Sequence, residues 1–266
     1  MFFIDTADID YIKSLWDKLS NDIPSKLLSG VTTNPNAFSK INANSIDTWQ
    51  NNTFDLCSLV SEIRGDNLGV VFVQVPNSNI SKEKALEWIK LAKTWGDGKT
   101  KIGIKIPPFV SMLELNENFK NELELNVTGV ADCSTALRAF SYGVRYVSII
   151  PGRMEEKGID AKSQIAYVNQ RKSDDCEIIT GSMRTIEGLK WACSYNTVPT
   201  IGTRVWDQVN SQLSNSQLLE ILESKENLNE IKFSPQIDEK MTALSADFFE
   251  QMDLLGKDVY EEFCDK

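Results

Sequence analysis

Short apolar runs and longer amphipathic segments alternate along this chain without a break, and few architectures accept such a pattern. The runs lie at 2–4, 27–31, 70–75, 102–106, 123–127, 146–149, 177–179 and 198–201. The segments lie at 7–19, 48–63, 82–95, 109–121, 133–142, 161–171, 185–193 and 203–213. The runs are short and often apolar at consecutive positions, as in strands covered by helices on both faces of a parallel sheet. In the segment 82–95, Ala85, Trp88, Ile89 and Ala92 recur at helical spacing. Eight strand–helix units predict an α/β fold, a (β/α)8 TIM barrel, with a doubly wound open sheet as the rival. No composition shift or Pro/Gly/Ser linker divides residues 1–213, read as the barrel. Residues 214–266 hold "NSQLLEILESKENLNEIKFSP" and "DEKMTALSADFFEQMDLLGKDVYEEF", two or three extra helices expected to extend the same domain.

Charge and residue usage then narrow the chemistry. A net charge of −10 over 266 residues argues against a nucleic-acid surface, which needs clustered Lys and Arg. No run is long and apolar enough to span a bilayer. The opening "MFFIDTADID" meets an aspartate after three apolar residues, so a signal peptide is not expected. The scattered cysteines Cys57, Cys133, Cys176, Cys193 and Cys264 predict reduced thiols and a cytoplasmic protein. With no histidine in the chain, the usual zinc sites and imidazole triads are excluded. Acid–base work falls to carboxylates, lysine, tyrosine or water.

In such a barrel the chemistry gathers where strands end and loops begin. Those ends carry Asp5, then Thr32, Thr33 and Asn34 in "GVTTNPN", Gln74, Lys105, Asn126 and Thr128, Ser148 and Arg153, Ser182 and Arg184, and Arg204. Lys105 is the pivotal residue. In "KTKIGIKIPP" the isoleucines 102, 104 and 106 share one strand face, leaving Gly103 and Lys105 on the other. Lys105 either snorkels to a surface carboxylate or stays enclosed. Enclosure lowers its pKa and frees an amine that can form a Schiff base with a ketone.

The other residues each have a structural alternative. Asp5 either caps the helix beginning near Ala7 or, with Thr6 as cap, is free for proton transfer. "TTNPN" is also explained by an Asn-Pro turn with Asn36 as helix cap. The side of the sheet that Gln74 faces depends on register. Asn126 and Thr128 project to one side of strand five, although Thr128 also suits an ordinary strand. Arg153 and Arg184 follow adjacent strands and, beside Ser182, match the fork geometry of a phosphate clamp. Arg204 is a possible third contact that nothing separates from a helix-face arginine.

"FFIDTADI", "GVTTNPN", "FVQV", "IKIP", "LNVT", "YVSIIPGR" and "TGSMR", in this order through about the first 200 residues, resemble the transaldolase family, including its small fructose-6-phosphate aldolase-like members. The resemblance implies that Lys105 is the Schiff-base lysine and Asp5 the acid/base carboxylate, with Gln74 and Thr128 holding a catalytic water. It implies that Thr32, Asn34, Asn126 and Ser148 meet substrate hydroxyls and that Arg153, Ser182 and Arg184 bind phosphate. The implied reaction moves a dihydroxyacetone unit from a ketose phosphate to an aldose phosphate.

Gln74 is shared with the small aldolases, whereas classical transaldolases have glutamate there. Ile150 replaces an aromatic residue found in both. Asn126, Ser148 and Arg184 resemble the transaldolase side, so transfer is favoured over aldol cleavage releasing dihydroxyacetone. A barrel that binds a sugar phosphate without turnover is the reading from another class. No metal or organic cofactor is expected, because the imine itself is the electron sink. Apolar stripes with Leu218, Leu219, Ile221 and Leu222, then Phe248, Phe249 and Leu254, predict a homo-oligomer.

Overall fold

The computed structural model of the chain describes all residues except 67, 120–121, 227, 229–238 and 266. Strands β1 (Phe2–Asp5), β2 (Leu28–Thr32), β3 (Val70–Gln74), β4 (Lys101–Ile106), β5 (Glu124–Val130), β6 (Tyr146–Ile149), β7 (Glu177–Thr180) and β8 (Val198–Gly202) pair in sequence order. All are parallel, and β1 also pairs with β8, which closes the barrel and removes the open-sheet rival. The helices around it are α1 (Ile9–Leu19), α2 (Pro35–Lys40), α3 (Ile46–Arg64), α4 (Lys82–Ala92), α5 (Val110–Leu113), α6 (Asn116–Phe119), α7 (Cys133–Ser141), α8 (Pro151–Glu156), α9 (Ala161–Asn169), α10 (Ile186–Ser194), α11 (Thr203–Gln212), α12 (Asn215–Glu223) and α13 (Glu239–Asp265).

Two apolar compartments follow from the period of two along each strand. Outward residues such as Ile4, Val71, Val73, Ile104 and Val147 join the helices in the larger core. Inward residues Phe3, Val70, Phe72, Tyr146, Ile179 and Val198 fill the barrel floor. Phe72 lies edge-on to Phe3 and to Tyr146, with ring centroids 5.6 Å and 5.3 Å apart. Gly103 makes that layer possible, since a Cβ there would stand 2.3 Å from the Phe72 ring. Gln74 is therefore on the inward face, with Phe72.

Local signals explain several departures from the expected boundaries. The cap of α1 is Asp8, whose carboxylate accepts the Tyr11 amide at 2.9 Å, so neither Asp5 nor Thr6 caps it. Asn34 caps α2 and Pro35 occupies its first turn, so Asn36 is inside the helix rather than its cap. Another Pro-led helix, α8, was not among the expected helices. The helix expected at 109–121 is instead α5 and α6, separated by a turn, with 120–121 outside the described residues.

The described helices of the tail pack on the barrel. Residues 227 and 229–238, in the stretch expected to hold an extra helix, lie outside the described residues. In α12, Leu218 and Leu222 are buried, and in α13 Phe248, Phe249, Met252 and Val259 are buried as well. The 27-residue α13 runs over the C-terminal mouth. Ser245 donates to the Gly129 carbonyl at 2.8 Å, and Asp253 accepts from both the amide and hydroxyl of Ser78 at 2.6 Å. Gly256 passes so close that a Cβ would lie 2.1 Å from the Pro76 carbonyl oxygen. The stripes expected to meet another subunit are thus largely absorbed by the chain's own barrel, leaving Leu254 and Leu255 exposed.

Candidate active site

β4 carries Lys105 to the barrel interior two residues beyond Gly103, with only 6 % of the residue exposed. Its Nζ donates to the Thr33 carbonyl at 3.0 Å. Parallel pairing sets Gln74 on β3 and Asn126 on β5 directly beside it. Burial presses the Lys105 ammonium below the usual lysine range, and the Asp5 carboxylate pulls weakly the other way. Gln74 Oε1 and Asn126 Nδ2 are buried without a partner. Asn126 Oδ1 accepts from Ser148 at 2.9 Å, which fixes the amide and leaves its nitrogen unused. An unmade buried hydrogen bond costs about 1–3 kcal/mol, so two such atoms flanking one amine mark a site for a polar ligand.

Asp5 is held from below by hydroxyls. Thr32 donates to Asp5 Oδ1 at 3.0 Å and lies 2.6 Å from the Thr200 hydroxyl. A threonine has one hydroxyl proton, so Thr200 must be the donor to Thr32. Thr128 is buried on β5 within an irregularity of the β5–β6 pairing between Val127 and Val130, where Gly129 adopts φ +71° against Phe248 and Phe249.

Above this layer opens a cavity of about 250 Å³ lined by Asp5, Asn34, Arg153, Ser182 and Arg184, together with Lys40 and Arg204. A Cβ on Gly152 would sit 1.8 Å from the Ser182 carbonyl oxygen, so only glycine lets α8 and the segment after β7 approach this closely. That contact sets Arg153 beside Ser182, whose own backbone is left-handed at φ +57°. The Arg184 Nε donates to Glu156 at 2.9 Å. Burial and the neighbouring Arg184 together press the Arg153 guanidinium below its usual range.

The expected residues therefore fall into two connected groups. Lys105, Gln74, Asn126, Thr128, Ser148 and Thr32 are deep in the barrel, Asn34, Arg153, Ser182 and Arg184 line the cavity, and Asp5 belongs to both. Lys40, Thr200, Phe248 and Gln251 were not anticipated. Lys40 is six residues past the Asn34 cap, so it reaches the mouth only because that stretch is helical. The α13 residues are far away in sequence, and no local spacing points to them.

The sequence pattern described as "Transaldolase/Fructose-6-phosphate aldolase" matches residues 2–251 of this chain. The chain belongs to that family. A "Probable transaldolase" of Mesorhizobium japonicum is 30 % identical over 196 residues, covering 72 % of this chain and 79 % of that protein. Another, from Sulfurihydrogenibium sp., is 29 % identical over 210 residues, covering 74 % and 84 %. A third, from Methanococcus maripaludis, is 28 % identical over 206 residues, covering 74 % and 85 %. Among solved structures, a mandelate oxidase variant aligns over 99 % of this chain and 77 % of its own at 10 % identity with a TM-score of 0.46, a likeness that carries no argument.

Proposed function

We propose that this family member is a cytoplasmic transaldolase in which Lys105 carries a dihydroxyacetone unit. The observation that carries the reading is one enclosed amine, lowered in pKa by burial, beside a carboxylate and two amides that each keep one buried atom without a partner. Neutral Nζ attacks the C2 carbonyl of fructose 6-phosphate or sedoheptulose 7-phosphate to form a carbinolamine. Asp5 protonates the departing hydroxyl, water leaves, and an iminium remains. Asp5, now a carboxylate, removes the C4 hydroxyl proton, the C3–C4 bond breaks, and its electron pair flows into the iminium. An aldose phosphate departs, leaving an enamine on Lys105. The enamine carbon then attacks an acceptor aldehyde, and the same steps run backwards to release a new ketose.

In this scheme Gln74 and Thr128 hold the water that is released as the imine forms and is taken up again when the imine is hydrolysed. Thr32, Asn34, Asn126 and Ser148 meet the sugar hydroxyls, while Arg153, Ser182 and Arg184 hold the phosphate. A second reading has support in Gln74, the residue that the small aldolases share: protonation of the enamine and hydrolysis then release free dihydroxyacetone. One assay separates these. With fructose 6-phosphate and erythrose 4-phosphate, transfer yields sedoheptulose 7-phosphate and little dihydroxyacetone. Free dihydroxyacetone at an equal rate with and without acceptor establishes the aldolase instead, and turnover of neither kind defeats both readings.

A further inference from the structure

The clamp residue Arg153 is held from one side by the tail. Its Nη1 donates to Gln251 Oε1 at 3.0 Å, and its guanidinium carbon lies 5.2 Å from the centroid of the Phe248 ring. Both partners are on α13, one helical turn apart, so a single helix face grips the guanidinium by its plane and by one of its corners. Arg153 Nε is buried with no partner, which leaves a donor of the fork unused on a residue that lines the cavity.

An arginine pressed against burial and against Arg184 has reason to move away. The ring face attracts the cation and the amide oxygen fixes its rotation. The helix is itself fixed, since Phe248 and Phe249 pack on Gly129 and Gly256 packs on the Pro76 carbonyl. We propose that Gln251 and Phe248 are positioning residues that aim Arg153 at the substrate phosphate, so that α13 selects phosphorylated sugars without touching the reacting carbons.

This rests on the phosphate role proposed above for Arg153, and it separates from the covalent chemistry by experiment. Gln251→Leu removes the acceptor at similar size, and Phe248→Leu removes the ring. In the full chain each is expected to raise KM for fructose 6-phosphate about three- to tenfold, with kcat within about twofold. Inorganic phosphate, titrated by calorimetry, should bind more weakly by the same factor in both variants. Borohydride trapping of dihydroxyacetone, which bears no phosphate, should be unchanged. Thermal melts establish that each variant is folded, and a variant that fails to fold is replaced by Gln251→Ala or Phe248→Met.

Equal losses with dihydroxyacetone and with fructose 6-phosphate would overturn the proposal, because the helix would then only support the barrel. So would phosphate binding within twofold of wild type in both variants. If wild type forms no adduct yet the phosphate effect holds, the covalent reading falls and the positioning role stands.

Discussion

Lys105 shows how far one residue can be read from elementary energetics. Its ammonium donates to one carbonyl, at 3.0 Å, with the Gln74 and Asn126 amides on the neighbouring strands. A buried cation with so little compensation costs stability. Because the folded-state pKa is lowered, the unfolded chain binds the proton more tightly, and stability rises with pH from the lowered value up to the ordinary 10.5. Lys105→Met is therefore expected to melt at a higher temperature than wild type near neutral pH. The gain should shrink as the pH rises through 10.5, above which the wild-type amine is neutral in both states. Melting curves across that range check this; a variant less stable than wild type at pH 7 would show that the ammonium is well satisfied in the fold. A protein that keeps a costly group inside its barrel trades stability for reactivity.

At the scale of elements, α13 joins stability to the site. A Gly256→Ala change places a methyl carbon 2.1 Å from a backbone oxygen that cannot swing aside. The overpacking should cost about 1–3 kcal/mol, more than the roughly 0.5–1 kcal/mol that alanine gains over glycine in a helix. Urea unfolding should show a lower midpoint with unchanged slope, and KM for fructose 6-phosphate should rise as the helix lifts. A midpoint equal to wild type would mean that α13 has room to shift. The strands were legible because consecutive apolar residues such as Val70–Val73 have only one economical place, between helices and barrel floor. The amphipathic segments were legible for the same reason. What was not legible depended on partners distant in sequence. Nothing in "NPNAFSK" separates a turn from the first turn of a helix, and nothing in "DFFEQM" says that one phenylalanine meets an arginine nearly 100 residues earlier. The tail's apolar stripe pointed to burial, but the sequence left open whether its own barrel or another subunit would cover it.

For the whole molecule, closure of β1 on β8 is the event that assembles the site, since Asp5, Thr32 and Thr200 come from three strands that meet only at that seam. The molecule is acidic overall, at −10, yet Lys40, Arg153, Arg184 and Arg204 surround one cavity, a local field suited to an anionic substrate. The homo-oligomer is a proposal that now rests on Leu254 and Leu255, 74 % and 39 % exposed on the outer side of α13. Light scattering on the eluting peak should give a multiple of 29.9 kDa, and a single 29.9 kDa species would remove it. The chemistry itself is tested most directly by mass. Wild-type chain incubated with fructose 6-phosphate and reduced with borohydride should gain a three-carbon adduct on the peptide containing Lys105, and Lys105→Met should gain none. An unmodified Lys105 in enzyme that nevertheless turns over substrate, or an adduct confined to another lysine, would contradict the mechanism.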